Sequence, residues 1–422
     1  VPLLTRRNLL YAGAAGLLGL AAVRFGLPRW MRSRESAALG PEAREFVRRC
    51  FDGIDRSRVW DTHVHLIGLG AGGTGCSVHP EMLSHLHPIK RFQFELYKSG
   101  TGITNEATAD ADYLERLLRF QRAANPRGKL LLLAFDFHVD ERGNERPELS
   151  PIHTPNEYVL SVARAHAELL PGGSVHPYRR DAVDRLDAIA GQGVRAIKWL
   201  PNAMGIDPAS PLCDAFYRRM AELRLPLITH AGKEYAVDSA PHQDLGNPLR
   251  LRRALDAGVR VVVAHCAALG SFPDLDQPES SRATAPAFDL FLRLFADDRW
   301  ADNLFADIST LAHAHHDPRT VREMLAASHW HRRLVYGSDY PLPAMRFLLS
   351  PRRLQVAGLL PGDAARLCAE LFEYNPLLFD FAVHRSLQLE KDGRIHRFAS
   401  GVFETDWLFD VSPPTTAATA SA

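Results

Sequence analysis

His63 and His65 stand one residue apart in VWDTHVHLIG, residues 59–68, just after Asp61. Side chains on a strand alternate between faces, so both imidazoles share one side and Val64 takes the other. Two imidazoles on one face can close on a single metal ion, because neutral imidazole is a good ligand for transition-metal cations. A lone buried histidine needs no such account, since it packs as an ordinary satisfied core residue. The rest of the chain makes that reading hard to keep. Reactive side chains recur at the ends of apolar runs: Asp136 and His138, His176, Lys198, His230 in LITHAG, His265 in VVAHCA, Asp307, and Asp339 in YGSDYP. Four histidines and an aspartate at strand ends are not what core packing alone produces.

The elements that would position these groups follow from apolar patterning. Short β-branched or leucine-rich runs predict strands at 58–66, 129–137, 174–178, 194–200, 225–230, 259–266, 303–309 and 333–338. Thr154 before Pro155 predicts a capped helix start, with apolar spacing through Val159 and Val162 to Leu170 and a stop at Pro171-Gly172-Gly173. Segments 181–192, 211–224 and 248–258 repeat the arrangement. Strand and helix alternating about eight times predict an α/β fold, a (β/α)8 TIM barrel, whose catalytic groups sit at the C-terminal strand ends. A doubly wound open sheet would need a glycine-rich phosphate turn leading into a helix. The glycines of GLGAGGTG, 68–75, do not lead straight into one and predict a flexible loop.

The connection 67–110 is the longest in the chain, a length that goes with a lid or with short elements of its own. Asp392-Gly393 between alternating residues predicts a hairpin, and SPPTTAATASA is low-complexity. The domain reading is a leader and linker over 1–40, the barrel over 41–383, a hairpin extension over 384–410 and a disordered tail over 411–422.

With 422 residues, 46% hydrophobic and 23% charged, the chain can bury a sizeable core. A net charge of +1 leaves no electrostatic footprint for nucleic acid. Five cysteines (Cys50, Cys76, Cys213, Cys266, Cys368) are odd in number and lack CxxC spacing. That excludes a fully paired disulfide framework and a cysteine-only zinc site, and fits folding in a reducing compartment. At the N-terminus Arg6 and Arg7 precede an apolar run over 9–23, followed by Arg24, Arg29, Arg32 and Arg34. The run is short for a transmembrane helix, which needs ~20 residues. The segment resembles a twin-arginine export signal, whose pathway moves folded proteins. The resemblance implies the export machinery as a partner and the periplasm or the outer face of the inner membrane as destination, the segment being cleaved or kept as an anchor.

DTHVH followed by Lys198, His230, His265 and Asp339, in that order, resembles the metal-dependent hydrolases of the amidohydrolase superfamily. Within it the likeness is to the amidohydrolase-related branch that also holds metal-dependent decarboxylases. It runs from about Val59 to Phe381, where GVRAIKWLP, RLVYGSDYPLP and EYNPLLFDF are similar to that branch's motifs. The resemblance implies that His63, His65 and Asp339 hold a divalent metal, zinc (Zn2+) first, with His230 a further ligand. Asp339 would also take the proton of the attacking water, and His265 would polarise or orient water or substrate. Asp61 would support a ligand rather than be one. Lys198 would either be carboxylated and bridge two ions, His230 and His265 then holding the second, or meet a substrate anion.

Asp136, His138, His176 and Asp307 are candidates to line the pocket. Lys233 and Glu234 would meet substrate or form a surface pair, His313, His315 and His316 would lie near the rim, and Cys266 would face the core. The implied reaction is hydrolysis of a C–O or C–N bond (ester, lactone or amide) in a small molecule. Non-oxidative decarboxylation of an aromatic or unsaturated acid is the rival, and a catalytically silent metal-binding barrel the third reading. A homo-oligomer is compatible with the chain.

Overall fold

The computed structural model describes residues 33, 35, 38–124, 128–237 and 239–410. Nearly all of the expected leader, and the expected tail, lie outside the described residues. Among the described residues no helix is long and apolar enough to cross a membrane. Eight short strands run parallel in two sheets. One holds β1 (Trp60–His65), β2 (Lys129–Leu133) and β3 (Leu169–Gly172), in that order. The other holds β4 (Ile197–Trp199), β5 (Leu227–Thr229), β6 (Val261–Val263), β7 (Leu304–Asp307) and β8 (Leu334–Val335), again in chain order. Backbone hydrogen bonds also run between the sheets. Lys198 N donates to Gly173 O at 2.7 Å on one side, and Asp339 N donates to His63 O at 2.8 Å on the other. Parallel neighbours require crossovers, supplied by helices such as Asn156–Ala165, Ala182–Gly191 and Asp214–Leu223.

Strands covered on both faces read as continuous apolar runs, and that is why KLLLL and VVV form here. Trp60, Leu131, Leu133, Ile228, Val262, Phe305 and Val335 form one buried cluster, completed by Leu408 and Phe409 from far along the chain. The opposite faces of β4–β8 pack on the helices in a larger core, and those of β1–β3 in a separate cluster. Asp392 and Gly393, at φ 53° and 70°, turn an antiparallel pair of strands, Leu389–Lys391 and Arg394–His396. The chain then returns beneath the sheets. Thr405 Oγ1 donates to Trp60 O at 2.7 Å, and Arg58 pairs with Glu404 and Asp406.

Three expectations are corrected. The third strand is Leu169–Gly172, not 174–178, and the preceding helix ends at Ala165. Leu169 and Leu170 pair in parallel with Leu130 and Leu131, so Pro171-Gly172-Gly173 continues the strand instead of stopping a helix. Gly172 suits the place: a Cβ there would lie 2.8 Å from Leu133 Cδ2. Thr154 is not a cap, because its hydroxyl donates to Leu66 O at 2.8 Å. The glycine-rich loop is wrapped around the Asp110 carboxylate, which accepts from Leu69 N at 2.7 Å, Gly70 N and Ala71 N at 3.2 Å, and Thr74 Oγ1 at 2.5 Å. An internal carboxylate fills the kind of backbone cradle that elsewhere binds anions. The rest of the long connection carries its own elements, including the helix Pro88–Thr101.

On the helix Pro376–Ser386, Asp380 and His384 are buried one turn apart. His384 Nδ1 lies 3.3 Å from Asp380 Oδ2, and its Nε2 lies 3.2 Å from Ile308 O. Burial disfavours the imidazolium, but Asp380 and the carbonyl acceptors outweigh it, so the pKa is raised above the usual histidine value. A raised folded-state pKa gives stability that is full below the unfolded value of about 6.5 and lost as pH rises through the folded value. The urea midpoint is therefore expected to fall as pH is raised above about 6.5, and His384→Gln to flatten that dependence.

Candidate active site

Asp307, at the end of β7, organises the centre. Its Oδ2 lies 2.9 Å from His63 Nδ1. A carboxylate only accepts, so Nδ1 carries the proton and Nε2 keeps its lone pair. Oδ1 accepts from His265 N at 2.9 Å, Ser309 N at 3.1 Å and Ser309 Oγ at 2.5 Å. Burial opposes its charge, yet the His63 and His265 imidazoles and the Ser309 hydroxyl hold Asp307 well below the usual carboxylate range. It stands behind His63 and does not line the pocket, which corrects the expectation for this residue. Asp61 Oδ1 accepts from His63 N at 3.2 Å and Ser338 N at 2.8 Å, tying β1 to the turn after β8. Burial pushes Asp61 up to about 7. Gly337 permits this approach, since a Cβ there would lie 2.7 Å from His63 Cβ.

Asp339 adopts φ 57°, an uncommon left-handed backbone for a residue with a Cβ. Its Oδ1 lies 2.7 Å from His65 Nε2 and 3.5 Å from His63 Nε2, and its Oδ2 lies 3.8 Å from His265 Nε2. Ligand atoms of His63, His265 and Asp339 all fall within 4.8 Å of one another. The tightest group therefore includes His265, expected to orient water or substrate, while His65 joins through Asp339. His230 stands farther out, its ring 5.6 Å from that of His265. Lys198 Nζ donates to His63 Nε2 at 2.9 Å, the lone pair a metal would use. His265, Cys266 and Ala267 all have φ of 50–55°, a left-handed turn that takes His265 off the path of β6. Cys266 is buried in the core as expected.

The donor set fits a divalent cation. Burial lowers His65 to about 4 and, with Lys198 nearby, His230 to about 3, and it lowers His265 well below the ordinary value. All three are neutral at pH 7, the form that ligates. His65 Nδ1 and His230 Nε2 are buried without a hydrogen-bond partner, a costly arrangement unless something else takes the lone pair. Burial also lowers Lys198, against the pull of Asp339, Asp307 and Glu234.

Over this wall lies a cavity of about 150 Å³ reached by His63, His65, Lys198, His230, His265 and Asp339. Its other walls are mostly apolar, including Ile67, Phe94, Phe135, Leu200 and Val237. Glu234 also lines it, with Oε1 accepting from Ala236 N at 2.5 Å and Oε2 3.7 Å from His230 Nδ1; burial pushes it up to about 7. Phe94 and Tyr97 reach the cavity from the helix Pro88–Thr101. Sequence patterning had no means to place them; the one hint for Glu234 was its position four residues after His230.

Asp136, His138 and His176 do not line the cavity. Arg179 captures Asp136 with Nη2–Oδ1 at 2.5 Å and Nε–Oδ2 at 2.7 Å. His176 lies past the end of β3 and bonds Met204 O at 2.9 Å. His138 packs against the left-handed turn at Gly205, where a Cβ would lie 2.2 Å from its Nε2. Lys233 lies 4.5 Å from the Phe272 ring centre instead of facing the cavity. His313 and His316 are buried and His315 exposed, all outside the cavity lining.

A family model described as amidohydrolase matches residues 60–370, nearly three quarters of the chain. No curated protein matches it. Among solved structures the chain is similar to an uncharacterised TIM-barrel protein of Bordetella bronchiseptica, 15% identical with a TM-score of 0.47, covering 74% of this chain and 98% of that one. It is also similar to a Pseudomonas putida protein bearing the name of a 2-pyrone-4,6-dicarboxylic acid hydrolase, 17% identical with a TM-score of 0.40, covering 76% and 97%. A manganese-bound 5-carboxyvanillate decarboxylase of Novosphingobium aromaticivorans is similar at 11% identity and a TM-score of 0.43, covering 83% and 97%.

Proposed function

We propose, on the premise that the chain belongs to the amidohydrolase family, that it is a metal-dependent hydrolase cleaving a C–O or C–N bond of a small ester, lactone or amide. The observation that carries this reading is the gathering of six ligand-type or cationic side chains on one wall of a mostly apolar cavity. On this reading the two parallel sheets make one eight-stranded barrel through the hydrogen bonds between them. His63, His265 and Asp339 would hold a divalent ion, zinc first, with His65 and His230 as further donors. Bound there, the ion supplies Lewis acidity that polarises a carbonyl and acidifies water. Asp339, steadied at Oδ1 by His65, accepts the proton of the attacking water at Oδ2. His265, held at Nδ1 by Ser309 Oγ at 2.7 Å, aims Nε2 at the same carboxylate, where it would serve as a ligand. The apolar walls exclude bulk water and strengthen each of these polar contacts.

Removing metal with a chelator is expected to abolish turnover of an ester or lactone panel, and zinc or manganese to restore it. Oxygen from labelled water should appear in the product. The buried Lys198 ammonium suits a carboxylate and favours a second reading, decarboxylation, whose sign would be CO2 released without oxygen from water. Elemental analysis with and without bicarbonate addresses nuclearity. One ion per chain in both conditions is expected, and two ions dependent on bicarbonate would make Lys198 a carboxylated bridge.

A further inference from the structure

The helix Pro88–Thr101 and the turn before it have two apolar sides. Met82, Phe94 and Tyr97 face the cavity. On the outside Leu83, Leu86, Ile89 and Phe92, three residues apart, are 37%, 88%, 82% and 40% exposed. Tyr235, 64% exposed, adjoins them, its carbonyl accepting from Gln93 Nε2 at 2.9 Å. Single exposed apolar residues are ordinary, but a concentration at a cavity mouth marks an interaction surface.

The course of the chain indicates what covers it. Arg116 Nε holds Glu35 Oε1 at 2.7 Å, while its Nη1 donates to Gly100 O at 2.9 Å and Tyr340 Oη at 2.5 Å. Gly100 precedes Thr101, and Tyr340 precedes Pro341, both of which line the cavity. Glu35 is therefore fixed near the C-terminal end of this helix. Upstream in sequence lie Arg34, Arg32, Arg29 and Arg24, then the apolar run 9–23. From Val23 to Glu35 is twelve residues (35 − 23), a reach of at most roughly 43 Å. An apolar run seated in lipid would tether the protein through the helix whose other end carries the exposed patch, well within that reach, with the arginines at headgroup level where anionic lipid attracts them.

We propose that the cavity mouth rests on a lipid surface. Leu83, Leu86, Ile89 and Phe92 dip into it, and the site takes an apolar substrate that partitions into the bilayer. The substrate clause rests on the hydrolase reading; the docking does not. All five cysteines are buried, so Ile89→Cys in the full chain accepts an environment-sensitive fluorophore selectively. A second label at Asp410→Cys serves as control, because Asp410 pairs with Arg195 at the opposite ends of the strands. With vesicles of phosphatidylglycerol and phosphatidylcholine, emission at position 89 should shift to the blue and be quenched by spin-labelled acyl chains, while position 410 stays unchanged. The proposal is overturned if the chain does not float with the vesicles, if it floats while position 89 stays silent, or if both labels respond alike. A blue shift that follows protein concentration without lipid would instead assign the patch to a second copy of the chain. Loss of the hydrolase reading alone would leave the fluorescence result in place.

Discussion

Asp339→Asn is expected to lower kcat/KM by at least ~10³-fold, about 4 kcal/mol, while far-UV circular dichroism stays that of the parent. The carboxylate lies within 4 Å of three imidazoles, His63, His65 and His265. Burial works against its charge, yet those imidazoles keep Asp339 well below the usual carboxylate range. Asparagine keeps the shape and the hydrogen-bonding oxygen but can neither take a proton nor offset a cation. Acid–base groups in such positions are worth roughly 10²–10⁴ in rate, and on the proposed reading the loss of a charged ligand adds to that. Turnover within about threefold of the parent, a difference of under 1 kcal/mol, would remove Asp339 from its assigned role. A protein that binds metal without catalysis would show no parent turnover at all.

Arg179→Met is expected to cost about 3–5 kcal/mol of folding free energy, read from the urea midpoint. Arg179 and Asp136 are both buried and meet fork to fork, and Arg179 also pairs with Glu145. Asp136 further accepts from His176 N at 2.8 Å and Phe137 N at 2.8 Å, so it holds the loops after β2 and β3 together. Without the guanidinium it is a buried charge with no counterion. The double variant Asp136→Asn with Arg179→Met removes both charges and should regain most of the loss. A single-variant loss below about 1 kcal/mol would mean that water replaces the arginine, as at an exposed pair.

The sequence disclosed the site's inventory better than its wiring. His63, His65, Lys198, His230, His265 and Asp339 close apolar runs, and parallel strands carry such residues to one end; all six reach one cavity. Asp307 was visible as a residue, but its hold on His63 spans 244 positions that no local pattern encodes. Glu234 comes from an irregular connection where periodicity is silent, and Phe94 and Tyr97 from a helix inside the long first connection, whose place over the cavity no local pattern encodes. The misplaced third strand came from reading Pro171-Gly172-Gly173 by local propensity, which pairing with Leu130–Leu133 overrides. That shift also misplaced His176. Asp110 shows the same limit, because GLGAGGTG reads as loose until a carboxylate some 40 positions away fills it.

Leu408 and Phe409 close the cluster around Trp60, and Thr405 bonds Trp60 O across 345 positions. A ribosome adding about 5–20 residues per second needs roughly 17–70 s to cover that distance. For that interval the first strand exists without its floor, and for most of it His63 and His65 exist without Asp339. The centre is therefore finished late in translation rather than along the way, and the side chains proposed as metal ligands can come together only once Asp339 has been made.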